Sequence, residues 1–243
     1  MGCAMSATIQ QRARHFCEAC SIRNRAICAD LDNGEIDLLN GIGRRRALKA
    51  GEQLLWEGEE AVLVANVIEG VLKLSTQTAD GRAQILGLVY PSDFLGRPFG
   101  ETTPYGVEAL TDAHVCVFER KDFDRFAREH PRLEHRLLER TLAELDRTRR
   151  WMLLLGRMSA EQKLASFLLE MTDRLADAVP AQLDHAQLLV LPLSRQQIAD
   201  VLGLTIETVS RQFTRMKADG LIDLPSRREV VIVDRAGLEE RAA

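Results

Sequence analysis

The stretch Pro192-Leu-Ser-Arg-Gln-Gln-Ile198 opens a helix sharply. Ser194 is placed as its N-cap, Gln197 three residues on completes a capping box, and Leu193 can staple onto Ile198. That helix covers Arg195–Leu202 and stops at Gly203, which can take the left-handed conformation of a tight turn. Thr205 then caps a second helix, Ile206–Ala218. Ala199, Gly203 and Val209 supply the small contact residue, the turn glycine and the buried branched residue of a helix-turn-helix. Leu202, Leu204 and Phe213 supply the rest of its core. The alternative is an ordinary helical hairpin with solvated charges.

The outward face of the second helix separates these readings. Glu207, Ser210, Arg211 and Arg215 lie three and four residues apart and share one face. Arg can pair bidentately with guanine O6 and N7, and Glu can accept from cytosine N4. Arg215, Lys217, Arg227 and Arg228 are placed to neutralise phosphates. The contacting set is Glu207, Ser210, Arg211 and Arg215 with the caps Thr205 and Ser194. Leu221–Leu224, a Pro225–Arg228 turn and Val230–Val233 read as a β-hairpin, which makes the motif winged. The whole chain has 32 Lys+Arg against 36 Asp+Glu, a net charge of -4. That excludes a histone-like polycation but not a local basic face: residues 205–228 hold five basic and three acidic groups.

Upstream, the hydrophobic period changes twice. From about Leu48 to Phe118 the apolar runs Ala61–Ile68, Val71–Leu74, Ile85–Val89 and Val115–Phe118 alternate with glycines, and Ala79-Asp80-Gly81 suits a hairpin turn. Several short strands in so few residues mean a small barrel or roll. From about Lys121 the pattern turns helical, with an early break near Pro131. Leu138, Thr141, Leu145, Thr148, Met152 and Leu155 then form a heptad seam suited to a second copy of the same helix. The alternative is a helix packed on its own barrel. Gly156 ends the run. Ser159 and Gln162 open another helix with a capping box, running to about Asp177. A polar loop crosses Pro180–Gln187, and Leu188–Leu191 reads as a strand.

The first 28 residues hold four of the five cysteines, Cys3, Cys17, Cys20 and Cys28. A small core-poor segment of this kind usually needs a metal or a partner to be ordered, and is otherwise a disordered tail. Cys17-Glu-Ala-Cys20 with Cys28 can converge on one soft centre, zinc or an iron–sulfur cluster, and Cys116 could close a four-thiolate set. A CxxC redox pair and unliganded thiols stay open. No apolar run approaches a membrane span, and Arg12, Arg14, His15 and Glu18 occupy the place of a secretory core, so no export and a cytoplasmic location are expected.

Cysteine cluster, β-roll, long helix and winged helix, in that order, resemble the CRP/FNR superfamily of bacterial transcription regulators over essentially the whole chain. The match is to the FNR branch, above all its FnrL-type anaerobic regulators. Ile206-Glu-Thr-Val-Ser-Arg211 is similar to the FNR recognition helix, whose Glu, Ser and Arg read a TTGAT-type half-site. Cys17, Cys20, Cys28 and Cys116 match the four FNR cluster ligands in order. Trp151–Arg157 is similar to the FnrL-type hinge. Members that bind cyclic AMP place Arg-Ser or Arg-Thr on the phosphate. This chain has Thr103-Pro104 there and no Lys or Arg between Arg97 and Arg120, so no cyclic nucleotide is expected and Phe99-Gly-Glu101 is scaffold.

The resemblance implies an α+β chain that is a regulator and not an enzyme. Its parts are a cysteine segment (1–29), a double-stranded β-roll (30–120), a dimerisation helix (121–156) and a winged helix-turn-helix (157–243). It implies a [4Fe–4S] cluster on Cys17, Cys20, Cys28 and Cys116, with Ser21 and Ile27 tuning its lability. It further implies a homodimer on a TTGAT-N4-ATCAA-like palindrome in double-stranded DNA, released by oxygen. Arg150 occupies a dimer-helix position that is often acidic in FNR. The turn Thr78–Arg82 is a candidate RNA polymerase contact. Three rivals remain: a haem or nitric-oxide sensor, with His114 as a possible ligand; a clusterless regulator; and, remotely, a CxxC thiol oxidoreductase.

Overall fold

The computed structural model describes residue 17 and residues 19–77, 83–176 and 187–243. The Thr78–Arg82 turn, Cys3 and most of the Pro180–Gln187 loop lie outside the described residues. The fold is α+β, and the described chain divides into two compact units. One is built from Met1–Leu74 and Val89–Glu144, the other from Ser75–Leu88 and Leu145–Ala243.

The first unit is organised by one antiparallel pairing. Strands β1 (Gly43–Leu48), β2 (Gln53–Leu55), β3 (Leu63–Glu69), β4 (Leu72–Gln77), β5 (Ala83–Val89), β6 (Phe94–Gly96), β7 (Gly106–Ala109) and β8 (Ala113–Glu119) form two four-stranded sheets. Their orders are β1-β8-β3-β6 and β2-β7-β4-β5. Because strand side chains alternate, β3 and β8 present two different faces. Ala65, Val67 and Val115 point into the roll core with Leu72 and Val107, all buried. Val64 and Phe118, directly opposite each other, point the other way. They pack under helices α1 (Asn33–Ile42) and α2 (Arg120–Glu129), against Leu39, Phe123 and Ala127. Phe123 is fully buried, its ring stacked 5.3 Å from Phe94 and tilted 5.6 Å from Phe118.

Two of these elements lie beyond what the hydrophobic pattern announced. α1 begins at Asp32, whose Oδ1 accepts the Glu35 N–H at 2.9 Å while Glu35 Oε2 accepts the Asp32 N–H at 2.9 Å. β1 carries Arg44, Arg45 and Arg46 and shows no alternation, because it is an edge strand paired only with β8. The long helix α3 runs Pro131–Arg157, breaking from α2 at His130 as Pro131 required, but it continues past Gly156.

The second unit holds α4 (Ala160–Ala176), β9 (Gln187–Val190), α5 (Arg195–Leu202), α6 (Ile206–Ala218), β10 (Ile222–Asp223), β11 (Glu229–Ile232) and α7 (Arg235–Ala242). Both predicted capping boxes form: the Ser159 and Ser194 hydroxyl oxygens accept from the Gln162 and Gln197 N–H groups, and their own N–H groups donate to the Gln162 and Gln197 Oε1 atoms. Gly203 sits at φ 61, the left-handed turn the sequence demanded. Strands β10, β11 and β9 make a three-stranded sheet. The terminal helix α7, unannounced by any apolar stripe, packs Leu238 fully buried. Most of β5 belongs to this second unit, where Gln84 Nε2 donates to the Asp200 carbonyl at 2.8 Å.

Phe123 locks the outer face of the β3–β8 sheet to the helices. We predict that Phe123→Ala costs about 3–5 kcal/mol of stability, read as a lower urea midpoint with an unchanged slope.

Candidate DNA-binding face and cysteine pocket

Helix α6 buries one side and leaves the other bare. Val209, Phe213 and Met216 are buried in the core, whereas Glu207, Ser210, Arg211, Thr214 and Arg215 are exposed on the opposite face. Thr205 caps the helix, its Oγ1 accepting the Thr208 N–H at 3.3 Å. Hydrogen bonds from its own backbone N–H and from the Thr205 hydroxyl hold the Glu207 carboxyl below its ordinary range. The first helical turn also favours that negative charge. Arg211 Nη2 reaches Thr208 Oγ1 at 3.4 Å and, among the described residues, pairs with no carboxylate. Its guanidinium is therefore free to meet a base edge.

The four predicted phosphate contacts divide two and two. Arg227 and Arg228 are exposed in the turn between β10 and β11. Arg215 and Lys217 already hold partners: Arg215 Nη1 lies 3.5 Å from Glu161 Oε2, and Lys217 Nζ lies 2.7 Å from Asp223 Oδ1. Glu161 also binds Arg241 of α7, which reaches Asp219 at 3.1 Å. Spacing along one helix could not reveal these ties, since their partners come from α4, α7 and the wing. Ser194 is half-buried, its hydroxyl oxygen engaged in the cap. Behind it the Arg195 guanidinium stacks 3.2 Å over the Phe213 ring, and burial pushes its pKa down to about 10.

Lys163, at 8% exposure, donates from Nζ to the Leu202 carbonyl at 3.3 Å. It satisfies an orphan acceptor at the end of α5, a role the sequence analysis missed because a lone lysine carries no pattern.

The predicted dimerisation positions line α3 without cover. Leu138, Leu145, Met152 and Leu155 are exposed, Met152 at 69%. Thr141 and Thr148 are exposed as well, and Leu142 and Leu153 widen the stripe. Arg150 is exposed on the same helix, within charge range of the Glu170 carboxyl on α4, which burial pushes up.

In the first unit the cysteines gather on the outer face of the β3–β8 sheet. Cys28 and Cys116 pack against both apolar groups there, Cys17 against the one holding Ile27 and Phe123, and Cys20 against the one holding Ile22 and Ile68. Cys17 Sγ donates to Asn40 Oδ1 at 3.3 Å. Burial first, then the neighbouring thiols, pushes Cys28 up to about 11 and Cys116 up to about 12. Cys17 is raised for the same reasons, with Arg45 and Arg23 opposing. Among the described residues, no three His, Cys, Asp or Glu side chains are gathered closely enough to hold a single metal ion. Ile27 is fully buried beside Cys28, and Ser21 is exposed beside Cys20. His114 faces outward, its Nδ1 3.2 Å from Glu69 Oε2.

The segment around Thr103 and Phe99 is held by bonds within the chain. Thr103 is buried and donates its N–H to the Glu59 carbonyl at 2.9 Å, while its carbonyl accepts from Gly58 at 2.8 Å. Phe99, in the left-handed region at φ 59, donates its N–H to Asp124, which also pairs with Arg120.

A winged helix-turn-helix with a free recognition face, in one chain with a β-roll and a long amphipathic helix, defines a DNA-binding regulator. Comparison with known proteins agrees. Residues 162–241 match the Crp-like helix-turn-helix domain, and residues 45–130 match the cyclic nucleotide-binding domain. The chain is 44% identical to the transcriptional activator protein FnrL of Cereibacter sphaeroides, over 94% of this chain and 92% of that protein. It is 40% identical to the nitrogen fixation regulation protein FixK of Bradyrhizobium diazoefficiens, over 94% of each. The structure of FixK2 from Bradyrhizobium japonicum superposes with a TM-score of 0.75 at 30% identity, covering 83% of this chain and 98% of that one. The chain belongs to the CRP/FNR family: it is a DNA-binding transcriptional activator of the FNR and FixK kind, and not an enzyme. Among its described residues no helix is long and apolar enough to cross a membrane.

Glu161 holds Arg215, one of the expected phosphate contacts. We predict that Glu161→Gln steepens the salt dependence of duplex binding by about one phosphate contact. Adding Arg215→Ala should return the slope to its starting value; an unchanged slope in the single variant would show that Arg215 stays off the backbone.

Proposed function

We propose that this regulator senses oxygen through a [4Fe–4S] cluster held by Cys17, Cys20, Cys28 and Cys116. The observation that supports it most directly is the gathering of these four thiols, from one N-terminal segment and from β8, on a single apolar sheet face. An all-sulfur donor set in a largely dry pocket suits soft metal centres. When bound, such a cluster supplies an oxygen-labile redox centre.

The chain's own residues do the rest. Thiols raised by burial release their protons on ligation, so loading couples to proton release. Ligation by Cys17, Cys20 and Cys28 ties the N-terminal segment to β8 and hence to the apolar group under α1 and α2, which includes Leu133 and Leu137 at the start of α3. Ser21 and Ile27, flanking the ligands, set how readily oxygen arrives. The bare stripe of α3, from Leu138 through Leu145 to Met152 and Leu155, pairs with the same stripe of a second copy. That places two α6 helices about one helical turn, roughly 34–36 Å, apart on DNA. Thr205, Glu207, Ser210 and Arg211 then read each half of a TTGAT-N4-ATCAA palindrome, Arg211 at guanine and Glu207 at cytosine. Ser194, Arg215, Arg227 and Arg228 steady the backbone, and RNA polymerase is the downstream partner in the cytoplasm. A hundredfold bias toward the dimer requires about 2.7 kcal/mol of differential stabilisation.

Anaerobic purification tests the reading. About four iron and four sulfide per chain are expected, bleaching in air together with loss of palindrome binding. Cys116→Ala should abolish anaerobic binding; a full cluster in that variant removes Cys116 from the ligand set. A colourless chain that binds equally with and without air would sink the oxygen-sensing proposal and leave the DNA-binding activator intact.

Arg211→Ala should weaken binding to the palindrome by about 1–3 kcal/mol and relax discrimination at the guanine. Equal loss on a scrambled duplex would assign Arg211 to phosphate instead.

A further inference from the structure

Cys116 is the middle residue of a cross-strand row. On β1 its partner is Arg45 and on β3 its partner is Asn66, so the three share the face that carries the other cysteines. Directly opposed residues hold their Cβ atoms about 4.5–5.5 Å apart. Asn66 is 2% exposed, and its Oδ1 is buried without a hydrogen-bond partner. The residues nearest it on that face of β3 are apolar: Val64 is fully buried and Ile68 nearly so.

A buried amide oxygen left unpaired is a free-energy cost that an apolar side chain would remove. Leucine has the same branched skeleton as asparagine, with two bulkier methyl ends, and would extend the apolar row of Val64 and Ile68. The metal-free chain therefore gives no packing reason for an amide at this position. An amide does have two donors, and turning it about its last torsion exchanges acceptor for donor at the same place. Beside Cys116 the partner for such a donor is a negatively charged sulfur, and thiolate ligation supplies one.

We infer that Asn66 is a positioning residue for the thiolate site. Its amide donates to the Cys116 sulfur, or to a cluster sulfide next to it, while Arg45 places positive charge on the other flank. This rests on the cluster reading above and deepens it. Donors to cluster sulfurs stabilise the reduced, more negative state and raise the reduction potential. Asn66 thus contributes to setting the potential and the oxygen lifetime of the site, alongside the tuning positions Ser21 and Ile27.

The experiment uses full-length protein, reconstituted with iron and sulfide under anaerobic conditions. Asn66→Leu removes the donor, and Asn66→Gln keeps an amide. The expected result is a midpoint potential shifted down in Asn66→Leu, with air-driven bleaching altered at least threefold and both values moved back toward wild type in Asn66→Gln. Meanwhile metal-free Asn66→Leu, in which removing the unpaired oxygen offsets the added bulk, should unfold close to the wild-type temperature, which a purely structural asparagine would not allow. A lower melting temperature with an unchanged potential would overturn the inference, and so would equal potentials and bleaching rates in all three proteins. If Asn66→Leu fails to fold, Asn66→Ser, which loses the amide but keeps a polar group, is measured against the same two outcomes. Wild-type protein that takes up no four-iron cluster would instead overturn the cluster reading itself, and this inference with it.

Discussion

The pairing of β3 with β8 is the constraint on which the first unit depends. A strand has two faces, and in most small rolls one of them meets water. Here both are covered. Ala65, Val67 and Val115 close the interior, while Val64 and Phe118 accept the helices α1 and α2 on the outside. A one-residue slip of either strand would exchange these two sets and bring Cys116 and Asn66 into the roll core. Register, more than any single contact, therefore decides that Cys116 meets the N-terminal thiols.

The same economy governs the DNA-binding unit. A recognition helix has to be held firmly from behind while leaving its front unencumbered. Val209, Phe213 and Met216 do the holding, Arg195 stacks on Phe213, and Lys163 ties the end of α5. The front is not uniformly free, however. Glu161 gathers Arg215 and Arg241, and Asp223 takes Lys217, so Glu207, Ser210 and Arg211 are open while two neighbouring cations are held by carboxylates. Surface pairs of this kind contribute little to stability, so they are easily broken.

Much of this was legible in the chain itself because it depends on local chemistry. Caps at Ser159, Ser194 and Thr205, the left-handed Gly203 and the three-and-four spacing of Glu207, Ser210 and Arg211 are short-range signals, and each appears where its spacing put it. The apolar stripe of α3 follows from periodicity alone. By contrast β1, with three arginines in a row, and α7, without an apolar stripe, carry no such signal. They become ordered because β8 and α4 give them a partner distant in sequence.

The sequence by itself determined the order of elements, the reading face of α6 and the residue types available at the cysteine segment, since these follow from spacing and side-chain chemistry within a few turns of chain. Only the tertiary structure decided which of those groups meet. It brought Cys116 across some ninety residues to Cys28, set Asn66 and Arg45 on either side of it, and gave Arg215 to Glu161. The physical reason is that strand register and helix docking are settled by burying apolar area, a property of the whole surface. The polar and sulfur-bearing groups are carried into contact by that burial, and no short stretch of sequence encodes their meeting.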